Sequence, residues 1–460
     1  MDGPEQPLIV AELSSLLSPA AVRGASATGL MDPGLDGRNL DAGLVVFPEA
    51  TEEVAKVLAF CNGRGISVVP QGGRSGVAGG AVSPPGQVII SLQRMNRILD
   101  IDTAGLRATV EAGVTLAALD AALEPFGLMA GIDLGARDSA TIGGMISTNA
   151  GGIEAFRHGV MRARVAGLEA VLADGTVMQD MAQVIKCNEG YDIKQLLIGA
   201  EGTLGIVTKA VLRLARRPMA RATALIAANS LAAAIEFLGS IPVSQLLAFE
   251  LMNARYLKLA IADHGVAAQV RLAEAPYYFV LEFEGADEAQ AGQRLEEHLS
   301  QAIERSWIAD ALIAKSEAER RVLWKLREDS WAVDRAMPGG LWYDVSVPLR
   351  HLDRYIAAME RRLAVTVPEA QAFVIGHLGD GNIHVTIAAL GSLQERRKAV
   401  TGIVYEGLKS IGGSFSAEHG IGLEKRESLQ RLGDPGKLAA MRAIKAVLDP
   451  KGILNPGKVL

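Results

Sequence analysis

Val69-Pro-Gln-Gly-Gly-Arg-Ser-Gly-Val-Ala-Gly-Gly80 decides how this chain is to be read. The apolar Ile66 to Val69 predicts a strand ending at Pro70, and the glycines at 72, 73, 76, 79 and 80 follow it directly. Glycine lets consecutive backbone N–H groups turn toward one anion with no side chain in the way, and Ser75 adds a hydroxyl donor. An isolated glycine run is as readily a surface turn. Neither G-x-G-x-x-G nor G-x-x-x-x-G-K-[ST] occurs here or elsewhere in the chain, which removes the commonest nucleotide motifs.

Two further segments change the balance. Asp133-Leu-Gly-Ala-Arg-Asp-Ser139-Ala-Thr-Ile-Gly143-Gly144-Met-Ile-Ser147-Thr148-Asn149-Ala-Gly151-Gly152 is a second glycine-polar stretch, and Ile198-Gly-Ala-Glu201-Gly202-Thr203-Leu-Gly205-Ile206-Val207 a third. Several such loops on one unit of mixed helix and strand suit a long diphosphate cofactor. Around them, Ala42 to Pro48, Val88 to Ser91, Arg107 to Glu111, Val165 to Leu172 and Val207 to Leu214 read as strands. Thr51 is expected to cap a helix, Asn62-Gly-Arg-Gly65 to stop it, and Asp174-Gly175 to form a hairpin turn.

Past Arg216-Arg217-Pro218 the pattern shifts. Strands are expected at Thr223 to Ala227, Tyr277 to Glu284, Val345 to Pro348 and Phe373 to Gly376, with long helices at Leu231 to Leu238 and Ala286 to Arg305. Here lies His377-Leu-Gly-Asp-Gly-Asn-Ile-His384, followed later by Ser416-Ala-Glu418-His419-Gly420. The H-x6-H spacing alone is weak, since paired strand histidines are often satisfied core residues. A turn at 379–382 between two strands brings both imidazoles to one end of the pair, and Glu418 completes an N/N/O set suited to Zn²⁺ or Mn²⁺.

At 460 residues, two or three domains are expected. A net charge of -6 argues against nucleic acid as a partner. Two cysteines, Cys61 and Cys187, are too few for a disulfide framework. No signal peptide or transmembrane stretch is apparent, so the expected setting is cytoplasmic, with peripheral contact at the inner membrane face allowed.

Taken in order, the three glycine segments and the C-terminal motifs resemble the vanillyl-alcohol-oxidase-type flavoproteins, and within them the D-lactate and D-2-hydroxyglutarate dehydrogenases. The resemblance runs from about Leu44 to Asn455-Pro456-Gly457. It implies an α+β protein: an FAD-binding domain of the PCMH type over 1–217, an α+β substrate domain with a central antiparallel sheet over 218–405, and a C-terminal helical segment, 406–460, returning to the FAD domain. It also implies that Pro70, Gly72, Gly73, Arg74, Ser75, Gly76 and Gly79 approach FAD, with Asp133, Ser139, Gly143, Gly144, Thr148, Gly151, Glu201, Ile206 and Asn455 supporting the rest. The first loop has no histidine, so the flavin is expected to be non-covalent, and His158 is read as structural.

The implied chemistry is oxidation of a 2-hydroxy acid to the 2-oxo acid. The divalent ion at His377, His384 and Glu418 polarises the substrate hydroxyl, His419 takes its proton, and hydride passes to flavin N5. Arg327 stands where the family carries its substrate arginine, and it is expected to bind the carboxylate as well as to serve in catalysis. Trp331, Trp342, Tyr343 and Thr386 are the remaining substrate candidates. Hydroxyglutarate-type members have a lysine just before the Tyr-Asp pair and an asparagine two residues after the second histidine, where this chain has Trp342 and Thr386. Burying a distal carboxylate against tryptophan is costly without a cation, so D-lactate or a larger apolar D-2-hydroxy acid is favoured. Lys325 and Arg335 remain as cations that could still reach the pocket.

Two alternatives stay open: a D-2-hydroxyglutarate dehydrogenase, and a flavin subunit of a glycolate-oxidase-like complex. The electron acceptor is unspecified among quinone, cytochrome and electron-transferring flavoprotein, and a homodimer is allowed.

Overall fold

The structure, a computed structural model, describes residues 5–24 and 31–460. It divides into two compact units. The first runs to Gly152 and adds His158–Arg217 and Glu418–Leu460; the second comprises Ile153–Arg157 and Pro218–Ala417. Residues 406–417 thus belong with the second unit, and the chain returns to the first at Glu418.

In the first unit, Val45–Val46, Val88–Ser91 and Val68–Gln71 form a parallel set, with Val22–Arg23 antiparallel at its edge. A five-stranded antiparallel sheet has the order Ile98–Asp102, Arg107–Glu111, Ile206–Arg213, Val165–Val171 and Val177–Asp180. The helix Thr51–Arg64 stops where Gly65 takes φ 67°. Its apolar face, Val54, Val57, Leu58 and Cys61, is buried in the unit's core.

Thr51 does not cap this helix; Ala50 is the cap residue and makes no side-chain bond. The Thr51 hydroxyl instead donates to the buried Glu169 carboxylate at 2.5 Å. Glu169 also receives Thr208 at 2.9 Å, Gln179 at 2.8 Å and the Lys209 ammonium at 3.0 Å. One carboxylate therefore links the helix to three positions on the five-stranded sheet.

The second unit is built on one antiparallel sheet of seven strands. Their order is Asp310–Ile313, Ala220–Ala228, Tyr277–Gly285, Leu246–Asn253, Gln371–His377, Asn382–Ala388 and Leu341–Ser346. The middle strand, Leu246–Asn253, was not anticipated. All its residues are buried, so the run Leu-Leu-Ala-Phe-Glu-Leu-Met-Asn shows no polar alternation, and leucine and methionine favour a helix in isolation. One sheet face packs under Ala254–His264, Glu317–Glu328 and Ala332–Ala336 through Met252, Phe373, Ile375, Leu323, Leu326 and Val333. On the other, Phe237, Phe249 and Phe279 stack edge to face at 5.8 and 5.3 Å.

Burial alone would push the Glu169 carboxyl up, but its hydrogen bonds from Thr51, Lys209, Thr208 and Gln179 outweigh this and hold it below the usual carboxylate range. A carboxylate depressed in the folded state contributes stability above its unfolded pKa and loses it as pH falls through the folded value. Glu169→Gln is therefore expected to flatten the acid side of the stability–pH profile, as measured by urea unfolding between neutral and acid pH. An unchanged acid slope would contradict this role.

Candidate functional site

Side chains alternate along strands, so register fixes which residues share a face. Glu250 pairs with His377, and His377 with Asn382 on the next strand; Ile375 pairs with His384, and His384 with Asp344. One row further on, Phe373 pairs with Thr386 and Thr386 with Trp342. These three rows lie on the face covered by Glu317–Glu328. The hairpin between the histidines turns through Gly381 at φ 77°, where a Cβ would come within 2.2 Å of the Val347 carbonyl oxygen. Asp380 accepts the Asn382 N–H at 2.9 Å and fixes the turn.

Glu250 is 1% exposed and was not singled out from the sequence. A lone glutamate inside an apolar run was the available signal, because a buried carboxylate requires partners. It has two: Arg327 at 2.7 Å and His377 Nδ1 at 2.8 Å. Burial would raise its pKa, but the facing His377 and Arg327 prevail and hold the carboxyl below its usual range. An ionised Glu250 accepts, so His377 Nδ1 donates to it and the ring turns its Nε2 to the opposite side. That Nε2 lies 3.4 Å from His384 Nε2, with the two rings at 90°. On its other side, His384 Nδ1 is 3.5 Å from the fully buried Asp344. Asp344 also accepts from Asn382 Nδ2 at 2.9 Å and from the Ala417 N–H at 3.1 Å.

Two imidazole nitrogens converge on one point; the first ring is bonded to a carboxylate through its other nitrogen and the second has Asp344 3.5 Å from its own, an arrangement suited to metal-binding histidines. The donor set fits a borderline divalent cation. Arg327 is 6% exposed, and among the described residues its Nε has no hydrogen-bond partner. A buried, unmatched guanidinium donor suits an incoming carboxylate.

Trp342 donates from Nε1 to Asp334 at 3.2 Å, and its ring lies 4.8 Å from that of Trp331, which is half exposed. Burial pushes the Asp334 carboxyl up despite the Trp342 bond. Tyr343 is not part of this group. Alternation puts it on the opposite face, where its hydroxyl meets Thr401 at 3.0 Å and its ring meets Tyr405. Arg335 is engaged by Asp263 and Asp329, and Lys325 is exposed with its charge acting on Asp263.

Within the first unit, the glycine segments come together. A Cβ on Gly73 would lie 1.7 Å from the Ser139 carbonyl oxygen, and one on Gly72 would lie 2.1 Å from Thr141 Oγ1. Bare backbone of the first loop thus runs against the second, and Gly76 faces open space. This is a cradle an extended diphosphate fits. A Cβ on Gly143 would lie 2.6 Å from the Ala112 Cβ, and one on Gly144 3.1 Å from Thr141 Oγ1. Arg74 takes φ 54° and donates to the Asp32 carbonyl. Asp133 pairs with Arg137, and Thr148 bonds back to the Gly144 carbonyl. Ile206 opens its strand fully buried. Pro70 lies where a Cβ on Gly202 would meet it at 2.4 Å, and Gly79 packs against Leu423.

The C-terminal segment is clasped to the same loops. Asn455 Nδ2 donates to the carbonyls of Gly80 at 3.0 Å and Glu201 at 2.8 Å. Glu201 accepts the N–H groups of Ile421 at 2.6 Å and Gly422 at 2.8 Å, and Glu418 accepts the Gly152 N–H at 2.5 Å, beside Gly151. His419 lies between these two anchors.

Comparison with known proteins fits both units. Residues 42–180 match the FAD binding domain model, and residues 217–459 match that of the FAD linked oxidases, C-terminal domain. The chain belongs to the FAD-linked oxidases. It is thus an FAD-dependent oxidoreductase. A D-2-hydroxyglutarate dehydrogenase of Xanthomonas citri pv. viticola is 37% identical over 90% of this chain and 88% of its own length. One from Stutzerimonas stutzeri is 34% identical, covering 98% and 99%, and the mitochondrial enzyme of Bos taurus is 36% identical, covering 90% and 76%. Among solved structures, p-cresol methylhydroxylase with substrate bound superposes with a TM-score of 0.75 at 17% identity, covering 99% and 96%. The 4-ethylphenol oxidase of Gulosibacter chungangensis gives 0.73 at 20%, covering 99% and 97%. These two show the fold, which is of the vanillyl-alcohol-oxidase type. No described helix is long and apolar enough to cross a membrane.

Glu250→Ala is expected to destabilise the second unit by about 3–5 kcal/mol, because it leaves the Arg327 charge buried and unpaired. Urea unfolding of the purified protein measures it, and a loss of under about 1 kcal/mol would show the pair to be dispensable. Gly73→Ala is expected to yield folded protein with little or no bound flavin, read from the visible absorbance. Full flavin content would refute the close-approach reading of the first loop.

Proposed function

We propose that the protein is an FAD- and divalent-metal-dependent dehydrogenase that oxidises a D-2-hydroxy acid, D-lactate or a larger acid with an apolar side chain, to the 2-oxo acid. The observation that carries the chemistry is the His377–His384 pair, with Glu250 orienting the first ring. In a chain of the FAD-linked oxidases whose curated relatives act on a D-2-hydroxy acid, such a pair supports metal-assisted alcohol oxidation. His377 and His384 would hold the ion, with Glu418 assigned as third ligand from the sequence motif. FAD, when bound, accepts the hydride, and a divalent cation lowers the pKa of an alcohol.

The remaining work falls to the protein's own groups. Arg327, tied at one side to Glu250, offers its unmatched Nε–H to the substrate carboxylate and so sets its orientation. His419, next to Glu418 in sequence, is assigned the hydroxyl proton. Gly72, Gly73, Ser75 and Gly76 are assigned to the diphosphate, non-covalently. The electron acceptor is assigned only as a carrier external to this chain.

The substrate assignment rests on the third strand row. Thr386, Phe373 and Trp342 present no cation there; of the two cations the sequence offered, Arg335 is paired with Asp263 and Asp329, and Lys325 is exposed. D-2-hydroxyglutarate is the second reading, favoured by the names of the relatives. Steady-state rates with a dye acceptor on D-lactate, D-2-hydroxyisovalerate and D-2-hydroxyglutarate decide between them. The monocarboxylic acids are expected to give the higher kcat/KM; a large preference for hydroxyglutarate would establish the second reading instead. Activity is expected to fall away on chelation and return with Zn²⁺ or Mn²⁺, and turnover that survives metal removal would defeat the metal assignment.

A further inference from the structure

The face that carries the histidines has polarity along the strands. At one end, Arg327 meets the Glu250–His377 row; the His384–Asp344 row is next; the Phe373–Thr386–Trp342 row lies beyond. Two residues along a strand span about 7 Å. A hydroxy acid with its carboxylate on Arg327 and its reacting carbon at the histidines directs its side chain toward Trp342. In the opposite direction Asn382 Nδ2 is bonded to Asp344 and the Val345 carbonyl, and the Ser346 backbone to that of Ser414.

At the Trp342 end stands a group the proposed mechanism does not use. Asp334, on the short helix Ala332–Ala336, accepts the Trp342 indole N–H with Oδ1, while its Oδ2 is buried and, among the described residues, has no hydrogen-bond partner. The neighbouring arginine gives it no relief, because Arg335 is drawn to Asp263 and Asp329. An uncompensated carboxylate at this point acts on whatever the side-chain end of the substrate brings. Like charges at close quarters in a partly desolvated pocket repel strongly. An apolar group, or one carrying a hydrogen-bond donor, meets no such penalty.

We infer that Asp334 is a specificity-determining residue: it holds the Trp342 indole at the distal end of the substrate pocket and, by its charge, excludes D-2-hydroxy acids with a second carboxylate. This rests on the substrate orientation of the preceding section. It goes further by assigning the rejection to a charge rather than to the bulk of the indole.

Asp334→Asn and Trp342→Phe separate the two causes. Asp334→Asn keeps an oxygen for the indole N–H and removes the charge. It is expected to raise kcat/KM for D-2-hydroxyglutarate relative to D-lactate by about tenfold, through a lower KM for the dicarboxylate. Trp342→Phe keeps the charge and is expected to hold the wild-type ratio within about threefold. Flavin content and melting temperature identify any variant that has merely lost its fold. If Asp334→Asn leaves the ratio within about twofold of wild type, or if Trp342→Phe gives the same gain, the charge does not set specificity and the inference fails. A wild-type enzyme that already prefers hydroxyglutarate overturns the preceding substrate assignment and this inference with it. A wild-type preference for D-lactate with an unresponsive Asp334→Asn overturns this inference alone.

Discussion

A single buried carboxylate organises the second unit. Glu250 sits in the middle strand of seven, 1% exposed, between a guanidinium and an imidazole. Desolvating an anion is expensive, and here it is tolerated because Arg327 and His377 face it from two sides. The arrangement has consequences in both directions. It holds the helix that carries Arg327 against the sheet, and it turns the Nε2 of His377 to the opposite side. Without Glu250, neither the orientation of the His377 ring nor the position of the arginine fork would be determined.

The first unit solves a different problem, which is to bring backbone close to backbone. Gly73 against Ser139 and Gly72 against Thr141 leave no room for side chains, so the backbone of the first loop lies directly on the second. Asn455 and Glu201 then fasten the C-terminal segment to those loops through four hydrogen bonds to backbone groups. This explains why a segment remote in sequence belongs to the first unit and why Glu418 and His419 are held at both ends. The polar contacts are local and directional, whereas the apolar core beneath them only requires volume and pattern.

Much of this was legible in the sequence because its signals were local. Glycine clusters after apolar runs marked the loops, Asp174-Gly175 marked a hairpin, and the H-x6-H spacing anticipated two strands joined by a glycine turn, as found at Gly381. What was missed depended on tertiary context. Leu246–Asn253 is buried on both faces, so it lacks the alternation that identifies a strand, and Glu250 was missed with it. Thr51 had the composition of a cap but spends its hydroxyl on Glu169, a partner 118 positions away in sequence. Tyr343 was expected beside the substrate with Trp342, from the family's Tyr-Asp pair, although adjacent strand residues face opposite ways. Asp334 acquires meaning only through its contact with Trp342.

In the proposed reaction the histidine pair, oriented by Glu250, serves a divalent ion in the oxidation of a D-2-hydroxy acid by FAD. The most direct measurement is anaerobic reduction of the bound flavin by D-lactate, followed by absorbance, in protein stripped of metal and again after Zn²⁺ or Mn²⁺ is restored, with metal content determined in parallel. Stripped protein is expected to keep its flavin oxidised, about one equivalent of metal per chain to restore rapid bleaching, and His377→Ala neither to retain the metal nor to bleach. Equally rapid bleaching in stripped and restored protein would contradict it.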